Sequence, residues 1–553
     1  MKFQISKFIW TSMFFGVMAT LANYQFGGND QIEQLPIIYR TVDPNYLSND
    51  FFTNNTSGFS PRFYYSKLIS LLSYFIGIPW IFFLGTLFSN MVTSILTYLT
   101  GKRLFNNADA GIFAAALAMF FPTIALGGDQ VFYASLFTPT TLVFPLILLS
   151  FYLLLQRKII PCLIITGFVS LFHILIGLEY GILFLSIFII RDYLENNNLK
   201  KALKSSSLFL VIIIFLLPNL IPHFQNKTSI ESSLFIEIIA HFRHPHHYLL
   251  SEIGTLKELW RFVLIAIVIV LTLPDWKKSI QTFYDKRAFH ITTILLSIAV
   301  LLGWVFVELI PSKLITSLQL LRMLNIGKWL FLLLVANHFT ISLKRKKFHP
   351  RTVVVLSLLA LLSFASEISW QKVLLMGMIY GVILLLLFKT NRRTLFASFI
   401  VLIGTIVALN YWGSSPIQKY QKKYLSSNQL TANQSSLVEF IRKNTSEESV
   451  FLSPHLFGFI RTEAKRAIVI DFKAFPFKET VMLEWYRRIE DCYGLQEDAF
   501  EKVYKNLDDS RIHQLQKKYN FDYAILYQET ETKIPTIYSD SEYKIIDLTS
   551  HAQ

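Results

Sequence analysis

Cysteine is almost missing from this chain: two in 553 residues, Cys162 within an apolar run and Cys492 in the polar tail. Two thiols in such different surroundings do not suggest a bridge. Any part outside the membrane must therefore hold together without disulfides, which suits a bacterial membrane protein better than a eukaryotic secretory one. The signatures of soluble enzymes are also missing: there is no phosphate loop, dinucleotide fingerprint, nucleophile elbow or His-Glu-x-x-His helix. Internal repeats and low-complexity segments are absent, which argues against the duplicated halves common in transporters. Charge is scarce, at 16% of residues, while 53% are hydrophobic. That excess comes in repeated apolar runs, some long enough to cross a bilayer, so the chain reads as a polytopic membrane protein.

The basic excess, formally +15, at first suggests nucleic acid, but its placement points elsewhere. Alternating sides at each charged loop places spans near 8–24, 79–100, 109–127, 140–155, 159–174, 177–190, 207–223, 259–274, 290–310, 324–343, 352–368, 373–389 and 394–412, about 13 transmembrane helices in all. Of the Lys and Arg residues, 22 then fall on one set of loops, 11 on the opposite set and 19 in the tail. This positive-inside asymmetry puts the N-terminus in the cytoplasm and the first loop outside. The run from Phe8 to Tyr24 lacks a convincing cleavage site and is read as a retained first span. The expected division is a membrane domain over 1–412, with its first outward loop at 25–63, and an extracytoplasmic α/β domain over 413–553.

That first loop is crowded with acid: Asp30, Glu33, Asp43 and Asp50. Asp30 stands just beyond the first span, where a lipid-linked substrate presents its phosphate and sugar. A carboxylate there can act as general base on an acceptor hydroxyl or help hold a divalent cation such as Mg or Mn. Glu33 is a second catalytic candidate, and the bland alternative for the pair is that Asp30 caps a helix beginning at Gln31 with Glu33 as half of a capping box. Asp43, before Pro44, reads as a turn former. The stretch after the loop, Phe63 to Gly77, reads as a helix lying in the outer interface.

Further outward positions supply companions. Gly127-Gly128-Asp129 places a carboxylate beside backbone that a ligand can approach closely, or else forms a simple solvated turn. His173 and Glu179 are ionisable groups inside a long apolar stretch, where such groups face a cavity or each other. Residues 241–248 hold four histidines and Arg243; His244, His246, His247 and Tyr248 with that arginine suit substrate and phosphate binding, or an aromatic-and-basic anchor in the interface, better than a metal, since Pro245 interrupts any helical ligand spacing. Arg243 offers the planar fork that grips two phosphate oxygens. Arg322, at the outer end of the tenth span, either neutralises a lipid pyrophosphate or snorkels to headgroups.

After Trp412 the apolar runs shrink to strand length and charge rises. Ser449–Ser453, Ala467–Phe472 and Tyr523–Tyr527 are strand patterns; 433–443, 481–492 and 497–518 are helical. Asp471 and Lys473 would share one side of a strand, where they would either pair or face the membrane domain together.

An outward acidic loop after the first span, a second acid in the next outward loop, about a dozen spans and an exterior α/β tail together resemble the GT-C superfamily of membrane glycosyltransferases. This is the fold of oligosaccharyltransferase catalytic subunits, protein mannosyltransferases and aminoarabinose transferases. The segments Asp30–Pro36, Asp43–Phe51, Arg243–Tyr248 and Asp471–Pro476 also look like a bacterial multi-pass family of unknown function. The superfamily resemblance implies transfer of a sugar from a polyprenyl-phosphate carrier to an acceptor on the extracytoplasmic face of the bacterial inner membrane, with inversion, in surface polysaccharide or glycolipid assembly. It gives Asp30 the base role and makes Asp129 the second-loop acid. The first loop lacks an Asp-Glu pair or Asp-x-Asp, and the tail lacks a Trp-Trp-Asp acceptor motif, so neither metal dependence nor a peptide acceptor is implied. A transporter or flippase of lipid-linked saccharide and a non-enzymatic assembly factor are the alternatives.

Overall fold

The computed structural model describes residues 7–549, apart from 122, 125–126, 129–131, 226–229, 252–255, 281–282, 345–350, 353, 356–357 and 360–429. Helices dominate, and among the described residues five are long and apolar enough to cross a membrane: Ile78–Phe105, Ile174–Asn196, Leu259–Trp276, Asp285–Leu309 and Lys313–Lys344. Shorter apolar helices at Ala108–Phe120, Pro139–Leu155, Ile159–Phe172 and Ser206–Asn219 accompany them. The expected spans at 352–368, 373–389 and 394–412 lie wholly or almost wholly outside the described residues.

The first helix, α1 (Lys7–Asn23), packs along the long helix that follows the acidic loop, Ile78–Phe105, which in turn packs on Ala108–Phe120. Small residues permit these approaches: a Cβ on Gly111 would stand 2.5 Å from the Tyr98 carbonyl oxygen, so only glycine lets the two backbones meet there. Ile159–Phe172 and Ile174–Asn196 are separate helices parted at an extended His173. They fold back on each other, with Gly177 against the Ser170 backbone.

Between the first two long helices the acidic loop forms three short ones, α2 (Gln31–Val42), α3 (Phe51–Thr56) and α4 (Phe63–Ser73). Helix α2 carries Pro36 inside it and buries Leu35, Ile37 and Ile38. Asp50 caps α3 by accepting the Thr53 amide at 2.8 Å.

The tail forms a five-stranded sheet in the order β2-β1-β3-β5-β4, with β1 (Val450–Leu452), β2 (Ala467–Ile468), β3 (Tyr523–Tyr527), β4 (Thr536–Ser539) and β5 (Tyr543–Asp547). β1 runs parallel to β2 and β3, while β5 is antiparallel to β3 and β4. The expected strand at 467–472 ends at Ile468, because the chain then turns away from the sheet to reach the acidic loop. The helix expected over 497–518 is broken into Glu497–Ala499, Phe500–Lys505 and Asp509–Tyr519, the last capped afresh by Asp508. An aromatic core of Phe472, Phe475, Trp485, Tyr493 and Phe500 joins the tail to Phe242 of the histidine loop.

Candidate functional site

The segment from Asp471 to Phe475 is what brings the separate loops together. It leaves β2, and its backbone and side chains reach both the acidic loop and the histidine loop. Asp471 does not pair with Lys473 as the strand pattern predicted, because the segment is not a strand and their side chains go to different partners. Asp471 joins Arg461, which also binds Asp50 Oδ2 through Nε at 2.7 Å, and all three side chains are fully buried. Asp50 additionally accepts the Ile468 amide at 3.1 Å, and Asp471 the Ala474 amide at 2.7 Å. A buried guanidinium between two carboxylates, each also hydrogen-bonded to backbone, meets the conditions under which buried charge is tolerated. The Arg461 clamp therefore ties the loop that carries Asp30 to the segment that carries Lys473.

Asp30 stands at the start of α2, but its side chain caps nothing. Its Oδ1 meets Lys473 Nζ at 3.0 Å instead, and Oδ2 has no partner among the described residues. Half of the side chain (53%) remains open to solvent although Lys473, Arg62 and Arg243 surround it, so the carboxylate faces a recess. Burial pushes its pKa up, yet the three cations outweigh that and hold it below the ordinary carboxylate value. Asp30 is ionised at neutral pH and accessible.

Glu33, by sequence a catalytic candidate or else half of a capping box, is engaged with two other parts of the chain. It pairs with Arg62 and accepts the Phe475 amide at 3.4 Å, and it is buried. Burial raises its pKa, with Arg62 opposing. These bonds tie α2 to α4 and to the tail, which leaves Glu33 a bracing role beside Asp30.

Arg243 reaches the site from the histidine loop. A π-helical turn, Glu237–Arg243, delivers it, and Pro245 opens the short helix that follows, Pro245–Tyr248. Its Nη2 donates to the Lys473 carbonyl at 2.8 Å, the guanidinium lies over Phe472 at 5.0 Å, and Nε is buried without a partner among the described residues. Glu33 and Asp30 both lie within its electrostatic reach. His244 packs edge-on to Phe475 at 5.5 Å, and the His246 and His247 rings lie 4.1 Å apart. Burial and then the neighbouring arginines, Arg243 foremost for His244 and His246 and Arg322 for His247, push all three below the ordinary histidine value, so they are neutral at pH 7. Tyr248 is buried and accepts a hydrogen bond from Gln319.

The other members close a ring. Arg322 Nη1 contacts His173 Nε2 at 3.1 Å, and Arg62 lies within electrostatic reach of the same histidine. His173 also caps the helix that begins at Ile174. Glu179 is buried with neither oxygen hydrogen-bonded among the described residues and lies within electrostatic reach of Arg322, whose carbonyl accepts from Tyr180 at 3.3 Å. Asp129 lies outside the described residues. Its neighbour Gly127 donates to the His246 carbonyl at 3.3 Å with φ +75°, and a Cβ there would strike the Leu321 carbonyl oxygen. Among the described residues no cluster of three His, Cys, Asp or Glu side chains is placed to hold a metal ion.

The structure thus gathers Asp30, Glu33, Arg243, His244, His246, His173, Glu179 and Arg322 around one region. Sequence reasoning missed Lys473 and Arg62 as members. Arg62 was legible as a cation ending an acidic loop, whereas Lys473, noticed only beside Asp471, is hundreds of residues from Asp30 and nothing local links the two.

A family model described as a domain of unknown function (DUF6798) matches residues 432–492, the stretch that supplies Arg461, Asp471 and Lys473. No curated protein matches. Among solved structures, ArnT from Cupriavidus metallidurans in the apo state is similar at 11% identity, covering 99% of this chain and 98% of that one with a TM-score of 0.46. The archaeal oligosaccharyltransferase AglB from Archaeoglobus fulgidus, in complex with an inhibitory peptide and a dolichol-phosphate, is similar at 11% identity over 94% of this chain and 69% of that one, TM-score 0.44. An Archaeoglobus fulgidus oligosaccharyltransferase in the apo form is similar at 10% identity, covering 96% of this chain and 70% of that one, TM-score 0.42.

Proposed function

We propose that the chain is a membrane glycosyltransferase of GT-C type, which moves a sugar from a polyprenyl-phosphate carrier to an acceptor on the extracytoplasmic face of a bacterial inner membrane. One observation carries this reading: Asp30 is an ionised, solvent-accessible carboxylate set among Lys473, Arg62 and Arg243, with Arg322 beyond. The four cations outnumber the two acids of the loop site, Asp30 and Glu33, which suits an anionic substrate. A phosphate would be gripped best by Arg243 and Arg322, each of which keeps a buried Nε without a partner among the described residues.

In the reaction, Asp30 takes the proton of an acceptor hydroxyl as its oxygen attacks the anomeric carbon. The new carbon–oxygen bond forms as the bond to phosphate breaks, and polyprenyl phosphate leaves with the electron pair. Arg243 and Arg322 stabilise the charge it gains. A single displacement of this kind inverts the anomeric centre. The neutral His244 and His246 supply hydrogen bonds to the sugar or phosphate. Glu33 and the Arg461 clamp hold Asp30 and Lys473 in register, and the tail covers the site. Membership of a surface polysaccharide or glycolipid pathway follows from the extracytoplasmic acceptor.

The test is transfer of radiolabelled sugar from lipid-linked donors in membranes carrying the protein. Asp30→Asn should lower the rate by about 10²–10⁴-fold, the range for loss of a general base. Undiminished transfer would remove Asp30 from the base role. Absence of transfer from every polyprenyl donor with wild type would favour a carrier of lipid-linked saccharide.

A further inference from the structure

A second recess lies away from the cationic ring, on the seam between the acidic loop and the tail, with a volume of about 700 Å³. That falls inside the usual range of small-ligand sites, roughly 300–1,000 Å³. One wall is Ser48, Asn49 and Phe51 from the acidic loop; the other is Arg488, Tyr519 and Tyr523 from the tail. Arg488 is held between two rings, 4.1 Å from the Phe51 centroid and 4.7 Å from that of Tyr519. Its Nε binds Glu484 at 2.9 Å and its Nη1 the Val469 carbonyl at 3.1 Å, leaving Nη2 without a hydrogen bond among the described residues. The remaining lining is largely hydroxyl and amide, and the charges without an ion pair among the described residues are acidic, Glu448 and Asp522, the latter accepting the Val450 amide at 2.9 Å.

We propose that this seam is a binding site for a neutral saccharide chain. Its chemistry is opposite to that of the Asp30 recess. Two carboxylates at the wall repel phosphate, while hydroxyl and amide groups on both faces match the alternating donors and acceptors of sugar hydroxyls. Aromatic faces offer apolar surface to the C–H side of a pyranose ring. The oriented guanidinium supplies a fixed donor already stiffened by its two rings, which reduces the ordering cost of binding. As the place where an acceptor glycan is held, the site rests on the transfer reading above; as a saccharide site it stands without it.

The experiment uses full-length protein in lipid nanodiscs titrated with maltotriose, cellotriose and chitotriose, followed by saturation-transfer NMR. Binding of at least one is expected, weakened tenfold or more by Arg488→Ala. Because that change can loosen the seam, Ser48→Trp provides an independent variant: it fills the recess from an exposed position whose side chain makes no hydrogen bond. It should abolish binding while leaving the thermal unfolding of the protein unchanged. Asp30→Asn should bind the saccharide as wild type does, so failure of the base assignment and failure of this site are separable. No binding of any of the three, binding indifferent to Ser48→Trp, or competition by peptides but not by glycans would overturn the proposal.

Discussion

Replacing Arg461 by leucine tests whether the acidic loop and the tail form one site. Arg461 is fully buried and joins Asp50 to Asp471, which are equally buried. Removing the cation leaves two carboxylates without compensation, and loss of one partner from a buried pair costs about 3–5 kcal/mol. The cost is felt locally, at the seam that the three residues hold closed. Two amides report on it directly, since Ile468 N–H donates to Asp50 and Ala474 N–H to Asp471. Hydrogen exchange at these positions should quicken by roughly 10²–10⁴-fold, one decade for each 1.4 kcal/mol. Adding Asp50→Asn and Asp471→Asn to Arg461→Leu should restore much of the protection, because no buried charge is left uncompensated. If exchange at both amides changes less than tenfold in the single variant, the clamp does not couple loop to tail, and Lys473 is not held over Asp30 by it.

The pH dependence of transfer should reflect the depressed pKa of Asp30: a carboxyl held below its ordinary value keeps its base form to lower pH, so the acid limb falls below the usual carboxylate range, near 4. Lys473→Met should move that limb upward, by less than a pH unit's worth of energy because the pair is partly exposed, as a rate–pH profile will show. His244, His246 and His247 are lowered in the folded protein, so the unfolded chain binds protons that the folded one does not, and the fold should lose stability as pH falls below about 6.5, visible as a lower apparent melting temperature. Arg243→Lys should raise the KM for the lipid donor about tenfold or more, since a point charge replaces a fork. Gly127→Ala should destabilise the histidine loop by at least about 1–2 kcal/mol from the positive φ alone, measured by thermal unfolding.

Much of the helical order was legible because apolar runs announce themselves. The helices at 7–23, 78–105 and 139–155 begin and end within a few residues of the expected runs, with Pro79 and Pro139 opening two of them. In the tail, Tyr523–Tyr527 was plain as a strand because it is a continuous apolar run, whereas β4 and β5 were missed: Thr536–Ser539 is an edge with polar ends, and Lys544 interrupts β5. The site was legible in part. Asp30, Arg243, His173 and Arg322 drew notice as ionisable groups in apolar or ligand-facing settings, which is a local property. The Asp30–Lys473 and Asp50–Arg461–Asp471 contacts join distant segments, and periodicity carries no information about such pairs. The Asp471–Lys473 expectation failed for the same reason, since strand alternation was applied to a segment whose course is set by distant partners.

The division of labour among the first-loop acids follows from these contacts. Asp50 is spent entirely on Arg461, the α3 cap and the Ile468 amide; Glu33 is spent on Arg62 and the Phe475 amide. Asp43 turns the chain, accepting the Asn45 amide at 2.9 Å. The oxygens of Asp50 and Glu33 serve the shape of the loop and are not free to meet a substrate. Asp30 keeps an oxygen without a partner among the described residues, open to solvent, and Lys473, Arg62 and Arg243 around it hold it ionised. The structural bonds of the other three fix the backbone that presents it, so replacing Glu33 or Asp50 should reduce transfer together with loop stability, whereas Asp30→Asn should reduce transfer and leave stability nearly intact. Parallel loss of both properties in Asp30→Asn would place that residue with the braces and leave the reaction without its base.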